Sequence, residues 1–202
     1  MDKKELSAVV LAGGESIRMG TNKALLKLGS KTMIEKVVEE LKKVFDDIIV
    51  VTNIQEQYSM IDGVRFVKDC VQTEKRSSLI GLYTGLSSID TKGAFVVPCD
   101  MPFLNKSLIL YMINKMQDED VIIPYMDGHY QPLHAIYKKT CLPSIKKNLD
   151  IGEYKVIKFF SEVNIKTIGK DEVEEFDKDM KCFININTYK EYIKSKEIIK
   201  RE

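Results

Sequence analysis

A single α/β domain on a mainly parallel, three-layer sheet is the fold that this sequence predicts. Short apolar, β-branched runs alternate with stretches of helical spacing along the whole chain, the rhythm of βαβ units. The runs are almost wholly apolar, as strands covered on both faces must be. The length, 202 residues, suits one domain, able to bury roughly 70% of its unfolded surface.

The elements follow in order. Ala8-Val9-Val10-Leu11 reads as a buried strand that stops at Gly13-Gly14. Ile34, Val37, Val38, Leu41, Val44 and Phe45 recur at helical spacing, opened by a capping box of Thr32 and Glu35. Ile48 to Thr52 is the next strand and Val64 to Val67 a shorter one. Leu79 to Ser88 predicts a helix, Ala94 to Val97 a buried strand, Leu108 to Met116 a helix, and Val121 to Pro124 an extended run. Beyond about residue 125 the rhythm loosens. Pro132 to Tyr137 reads as a strand, Cys141 to Leu149 and Tyr154 to Phe160 as short helices, and Phe183-Ile184 as a last strand. A Lys/Glu-rich amphipathic helix spans Thr188 to Lys200, and the acidic stretch Asp171 to Asp179 reads as a solvated loop. A regular half (about 1–124) and a looser half (about 125–202) share this one domain.

Composition narrows the function. Lys and Arg number 31 against 30 Asp and Glu, so no overall field attracts nucleic acid or an anionic membrane. Any phosphate recognition is therefore local. The four cysteines, Cys70, Cys99, Cys141 and Cys182, form no C-x-x-C and have no histidine nearby, which argues against zinc and against a disulfide framework. The chain shows neither a signal peptide nor a membrane-spanning run, and a reducing cytoplasm is the expected setting.

The segment Leu11-Ala12-Gly13-Gly14-Glu15-Ser16-Ile17-Arg18-Met19-Gly20-Thr21-Asn22-Lys23 carries the strongest chemical signal. A strand ending in two glycines lets backbone N–H groups approach phosphate oxygens, and Arg18 and Lys23 then add full positive charge. The spacing is that of neither a P-loop nor a dinucleotide fingerprint.

Open parallel sheets bind ligands beyond the carboxyl ends of their strands. The polar residues there are the Gly-Gly loop, Asn53, Asp69 and Asp100, the last within Val97-Pro98-Cys99-Asp100-Met101-Pro102. A carboxylate between two prolines at a strand end suits Mg²⁺, which takes few protein oxygens and fills its shell with phosphates and water. Asn53 and Asp69 also suit ordinary turns.

The pattern L-A-G-G-x-S-x-R-M-G-x-x-K resembles the signature of nucleotidyltransferases that activate sugars and cofactors. Its Gly-Gly form is similar to the molybdenum cofactor guanylyltransferase branch, the MobA-like family. Cys99-Asp100-Met101-Pro102 matches that family's C-D-x-P, Gln131 to Tyr137 its Q-P-L-x-A-x-Y strand, and Phe183 to Thr188 its F-x-N-x-N-T segment. The resemblance runs from Ala8 to Tyr189. It implies a Rossmann-like, nucleotide-diphospho-sugar transferase-like fold and transfer of GMP from Mg²⁺-bound GTP to a molybdopterin phosphate. It further implies that Leu11, Ala12, Gly13 and Gly14 line the nucleotide and that Arg18 and Lys23 hold the triphosphate. Asn53 and Asp69 would contact the nucleoside, Asp100 would bind the metal, and Gln131, Asn185 and Asn187 would meet the acceptor. The resemblance leaves room for partners that assemble the cofactor or receive the product.

Four alternatives stay open at this level. Asn187-Thr188 followed by Glu191 is also a good helix start, and His134 reads as a core histidine. Ser77-Ser78 stands where the family usually has Gly-Pro, near the nucleoside, so CTP or a sugar-phosphate acceptor is the rival substrate pair. A non-catalytic nucleotide-binding module is the rival of another class.

Overall fold

The structure is a computed structural model that describes residues 2–13, 22–71, 75 and 77–201. Its centre is an eight-stranded sheet. Strand β1 (Leu6–Leu11) is buried throughout and pairs in parallel with β4 (Ile48–Val51) on one side and with β6 (Gly93–Pro98) on the other. Strand β5 (Arg65–Val67) extends the β4 side, again in parallel. Next to β6 lies β9 (Ala135–Lys138), antiparallel to both β6 and β7 (Val121–Met126). Beyond β7, β10 (Ile165–Ile168) pairs in parallel, and β8 (His129–Tyr130) forms a hairpin on β7. The order is therefore β10-β7-β9-β6-β1-β4-β5.

This order has a chemical consequence. From β1 the chain winds outward through β4 and β5, then crosses back to place β6 on the other side of β1. The switch point thus lies between the carboxyl ends of β1 and β6, the place where open α/β sheets bind their ligands.

Helices cover both faces. Helices α1 (Met33–Lys42) and α3 (Lys106–Lys115) pack Ile34, Val37, Leu41, Leu108 and Met112 against Val10, Phe95 and Val97. On the other face, α2 (Ser78–Ser87) and α4 (Leu142–Asp150) bury Leu79, Leu82 and Ile145 against Val9, Val96 and Tyr137. The Thr32–Glu35 capping box of α1 is formed as predicted, each side chain bonding the other residue's backbone N–H. A third, smaller cluster joins Leu28 and Met33 to Ile186 and to Tyr192 of α6 (Tyr189–Arg201). Leu28 lies in the hairpin formed by β2 (Lys27–Leu28) and β3 (Lys31–Thr32), and Tyr192 donates its hydroxyl to the Lys27 carbonyl at 2.7 Å.

The second half departs from expectation in several places, and β8 and β10 are strands that the sequence pattern did not mark. Phe183-Ile184 is no strand: Lys181–Phe183 forms a 3-10 turn, and Ile184 to Asn187 then run free of any sheet. Within the acidic stretch, α5 (Lys170–Glu174) forms a short helix because Val173 is buried and Glu172 accepts hydrogen bonds from Gly169 and Tyr111. The predicted strand at Pro132 begins only at Ala135, since the His134 N–H turns back to the Gln131 carbonyl. Residues Val156–Glu162 wind as a 3-10 helix.

Candidate active site

Leu11, Ala12, Gly13, Asn53, Asp69 and Asp100 lie at the carboxyl ends of four neighbouring parallel strands. Leu11 ends β1, its carbonyl accepting the Cys99 N–H at 3.1 Å, and Ala12 donates to the Val51 carbonyl at 2.9 Å. The first bond ties the end of β1 to the segment that carries Asp100. Asn53 follows β4 and Asp69 follows β5. They bond each other twice, Asn53 Nδ2 to Asp69 Oδ2 at 2.9 Å and the Asp69 N–H to Asn53 Oδ1 at 3.0 Å. A Cβ on Gly13 would stand 4.0 Å from Asp69 Oδ2, so the backbone past β1 runs beside this pair. Gly14 and Arg18 lie outside the described residues.

Lys23 opens a 3-10 turn, Lys23–Leu25, capped by Asn22. Its side chain is 8% exposed, and its ammonium donates to Asn187 Oδ1 at 3.4 Å. Asn187 comes from the far end of the chain. The Ile186 N–H donates to the Asp100 carbonyl at 3.0 Å, and buried Ile186 anchors the segment in the third apolar cluster. Asn187 forms the helix start read from the sequence, its N–H and that of Thr188 bonding Glu191 at the head of α6, and its side chain is turned toward Lys23.

Asp100 is the electrostatic centre. Its Oδ1 is buried and has no hydrogen-bond partner among the described residues, and the same is true of Asn185 Oδ1. Burial raises the Asp100 pKa. The Asp100 backbone N–H and the Lys23 charge act the other way, and the Glu191 charge adds to the rise. A buried carboxylate oxygen with nothing to bond is poised for a cation. Burial and the Asp100 charge likewise push the neighbouring Cys99 thiol up, so it stays protonated and packs as a small apolar group.

The acceptor-side residues are not all joined by contacts. Asn185 and Asn187 flank Ile186 at the Asp100 end of the site. Gln131 lies at the base of the β7–β8 hairpin, its N–H donating to the Pro124 carbonyl. His134 is fully buried between Phe95 and Phe183, at ring centroid distances of 5.0 and 4.8 Å, and neither ring nitrogen has a partner among the described residues. It belongs to the core, as read from the sequence. Ser77 accepts the Ile80 N–H at 3.3 Å and caps α2, which gives one of the two serines a structural role.

Comparison with known proteins agrees with this geometry. Residues 8–165 match the family model described as MobA-like NTP transferase domain. The chain belongs to the MobA-like NTP transferase family. As a MobA-like domain it is a nucleotidyltransferase. It is 39% identical over 186 residues to a probable molybdenum cofactor guanylyltransferase of Natranaerobius thermophilus, covering 91% of each chain. It is 34% identical over 197 residues to the molybdenum cofactor guanylyltransferase of Desulfosudis oleivorans, covering 96% of each. The fold is that of molybdopterin-guanine dinucleotide biosynthesis protein A from Archaeoglobus fulgidus, with a TM-score of 0.83 at 23% identity over 98% of this chain and 100% of that one.

Two residues that meet beside Lys23 were not singled out from the sequence. Asn22 had a usable signal, an asparagine directly before the turn that carries Lys23. Tyr58, which bonds Asn22, had none, because only the tertiary fold brings it there.

Proposed function

We propose that this chain transfers GMP from GTP to the phosphate of a molybdopterin cofactor, releasing pyrophosphate and forming the guanine dinucleotide. The observation that carries the proposal is the buried Asp100 carboxylate oxygen at the β1–β6 switch point, without a partner among the described residues and close to the Lys23 charge. Relatives named for this activity match the chain along more than nine-tenths of its length.

An acceptor phosphate oxygen attacks the α-phosphorus, and the bond from that phosphorus to the bridging oxygen breaks. Pyrophosphate departs with the electron pair. The acceptor is already ionised, so no general base is required, and the work is positioning and charge neutralisation. Lys23 holds the triphosphate, with Arg18 as its second cation on the sequence motif. Leu11, Ala12, Gly13 and Gly14 present backbone to the nucleotide, and the Asn53–Asp69 pair meets the nucleoside. Gln131, Asn185 and Asn187 face the acceptor. Asp100 fits Mg²⁺, since its free oxygen is a hard donor and one protein carboxylate is enough where phosphates and water complete the shell. Bound there, the ion neutralises charge on the phosphate oxygens. Among the described residues no helix is long and apolar enough to cross a membrane, and all four cysteines are free, which suits a reducing cytoplasm.

The test is pyrophosphate release with Mg²⁺ and molybdopterin, run in parallel with GTP, CTP, ATP and UTP. A GTP-dependent signal with a guanine dinucleotide product is expected. Lys23→Ala and Asp100→Ala should each lower turnover about 100-fold or more with the fold retained. Preference for CTP would move the substrate and keep the chemistry, whereas nucleotide binding without turnover would refute the transferase reading.

A further inference from the structure

Gln57 and Tyr58 end a 3-10 turn, Gln55–Tyr58, on the connection after β4, and no role above uses them. Their side chains converge on Asn22, the residue before Lys23. Asn22 Nδ2 donates to Gln57 Oε1 at 2.8 Å and to the Tyr58 hydroxyl at 2.9 Å, and Asn22 Oδ1 accepts the Ala24 N–H at 3.2 Å. Both amide hydrogens and the amide oxygen are therefore engaged. Tyr58 is 1% exposed, and its hydroxyl donates in turn to the Ala12 carbonyl through a long bond of 3.5 Å. One phenol thus touches the residue just past β1 and the residue that starts the Lys23 turn. Burial pushes the phenol pKa up to about 12, with the Cys99 thiol adding to the rise and the Asn22 bond opposing it, so it remains a neutral donor at working pH.

A single 3-10 turn is too short to hold itself, and its cap decides where its side chains stand. Among the described residues, the Lys23 ammonium bonds across the site through one long contact, to Asn187. Asn22 caps the turn that carries Lys23, alongside the Leu26 N–H bond to the Lys23 carbonyl and the buried Ala24, and the Gln57–Tyr58 pair holds the Asn22 side chain. We infer that Tyr58, seconded by Gln57, is a positioning residue that acts through Asn22 to set where the Lys23 ammonium stands relative to β1 and Asp100. The inference rests on the transferase reading. It differs from a stability role in one respect: the Tyr58 hydroxyl matters to turnover only while Lys23 is present.

A double-mutant cycle on the full chain separates the two roles. Wild type, Tyr58→Phe, Lys23→Ala and the double variant are compared by pyrophosphate release with the nucleotide that wild type prefers, resolving kcat and KM. Tyr58→Phe keeps the ring and removes one hydroxyl. A small displacement of a charged group at a phosphoryl-transfer site lowers kcat roughly 10-fold or more. In the Lys23→Ala background the same change should cost less than about 2-fold. An equal loss in both backgrounds would mean a merely structural hydroxyl and overturn the inference, as would full kcat in Tyr58→Phe alone. Should Tyr58→Phe fail to fold, the exposed Gln57→Ala runs the same cycle with the same criterion. Wild type inactive with every nucleotide would overturn the transferase reading itself, and the positioning role with it.

Discussion

Replacing His134 with leucine should remove most of this protein's sensitivity to mild acid. The ring is fully buried, edge-on to Phe95 and tilted against Phe183, with neither nitrogen partnered among the described residues. Burial pushes its pKa down to about 3, and the Asp177 charge offsets only part of that. In the unfolded chain a histidine titrates near 6.5. Between these two values the unfolded state holds a proton that the folded state refuses. The unfolded state therefore binds more protons, and stability falls as pH drops through about 6.5 and levels off near 3. From pH 7 to pH 5 the loss comes to about 2 kcal/mol. For a chain of this size that is roughly 4–8 °C in Tm. Leucine fills a similar volume and takes away the proton site together with two unpaired polar atoms. Thermal unfolding followed by circular dichroism at pH 7 and pH 5, in wild type and His134→Leu, gives a difference of differences. The other histidine, His129, is present in both proteins and cancels. If the two proteins lose the same Tm on acidification, His134 does not stay neutral through burial and the reasoning is wrong.

Other outcomes follow from the packing and the site. Gly85 in α2 lies against β1, where an added Cβ would stand 2.4 Å from Val9 Cγ1. Gly85→Ala should therefore cost about 1–3 kcal/mol in a denaturant titration, and an unchanged midpoint would contradict the contact. The Asp47 carboxyl is raised by burial but lowered more by its bonds to Arg65 and Ser7, so its net pKa is depressed. Its ionised form stabilises the fold above the ordinary Asp range, and this stability is lost as pH falls through the depressed value. Asp47→Asn should thus be less stable than wild type by about 0.5–1 kcal/mol at pH 7, with the gap closing below about pH 4. Asn53→Ala breaks the pair with Asp69 and should raise KM for the nucleotide about 10-fold with little change in kcat, which steady-state kinetics would show.

The sequence by itself determined the parallel core. Apolar runs such as Ala8 to Leu11, Ile48 to Val51 and Ala94 to Val97 have no stable place except as strands covered on both sides, and the Thr32–Glu35 box marks a helix start by local chemistry alone. Strand ends then place Gly13, Asn53, Asp69 and Asp100 on one edge, because parallel strands share a direction. Whatever depends on distant pairing was decided by tertiary structure. Ile165–Ile168 is a strand only because β7 offers it an edge, and Phe183 is drawn into a turn over His134 rather than into the sheet. The meeting of Lys23 with Asn187, and of Asn22 with Tyr58, joins residues 164 and 36 positions apart. No local propensity encodes such contacts: they exist because packing buries Ile186 in one apolar cluster and Tyr58 in another, which brings Asn187 to Lys23 and Tyr58 to Asn22.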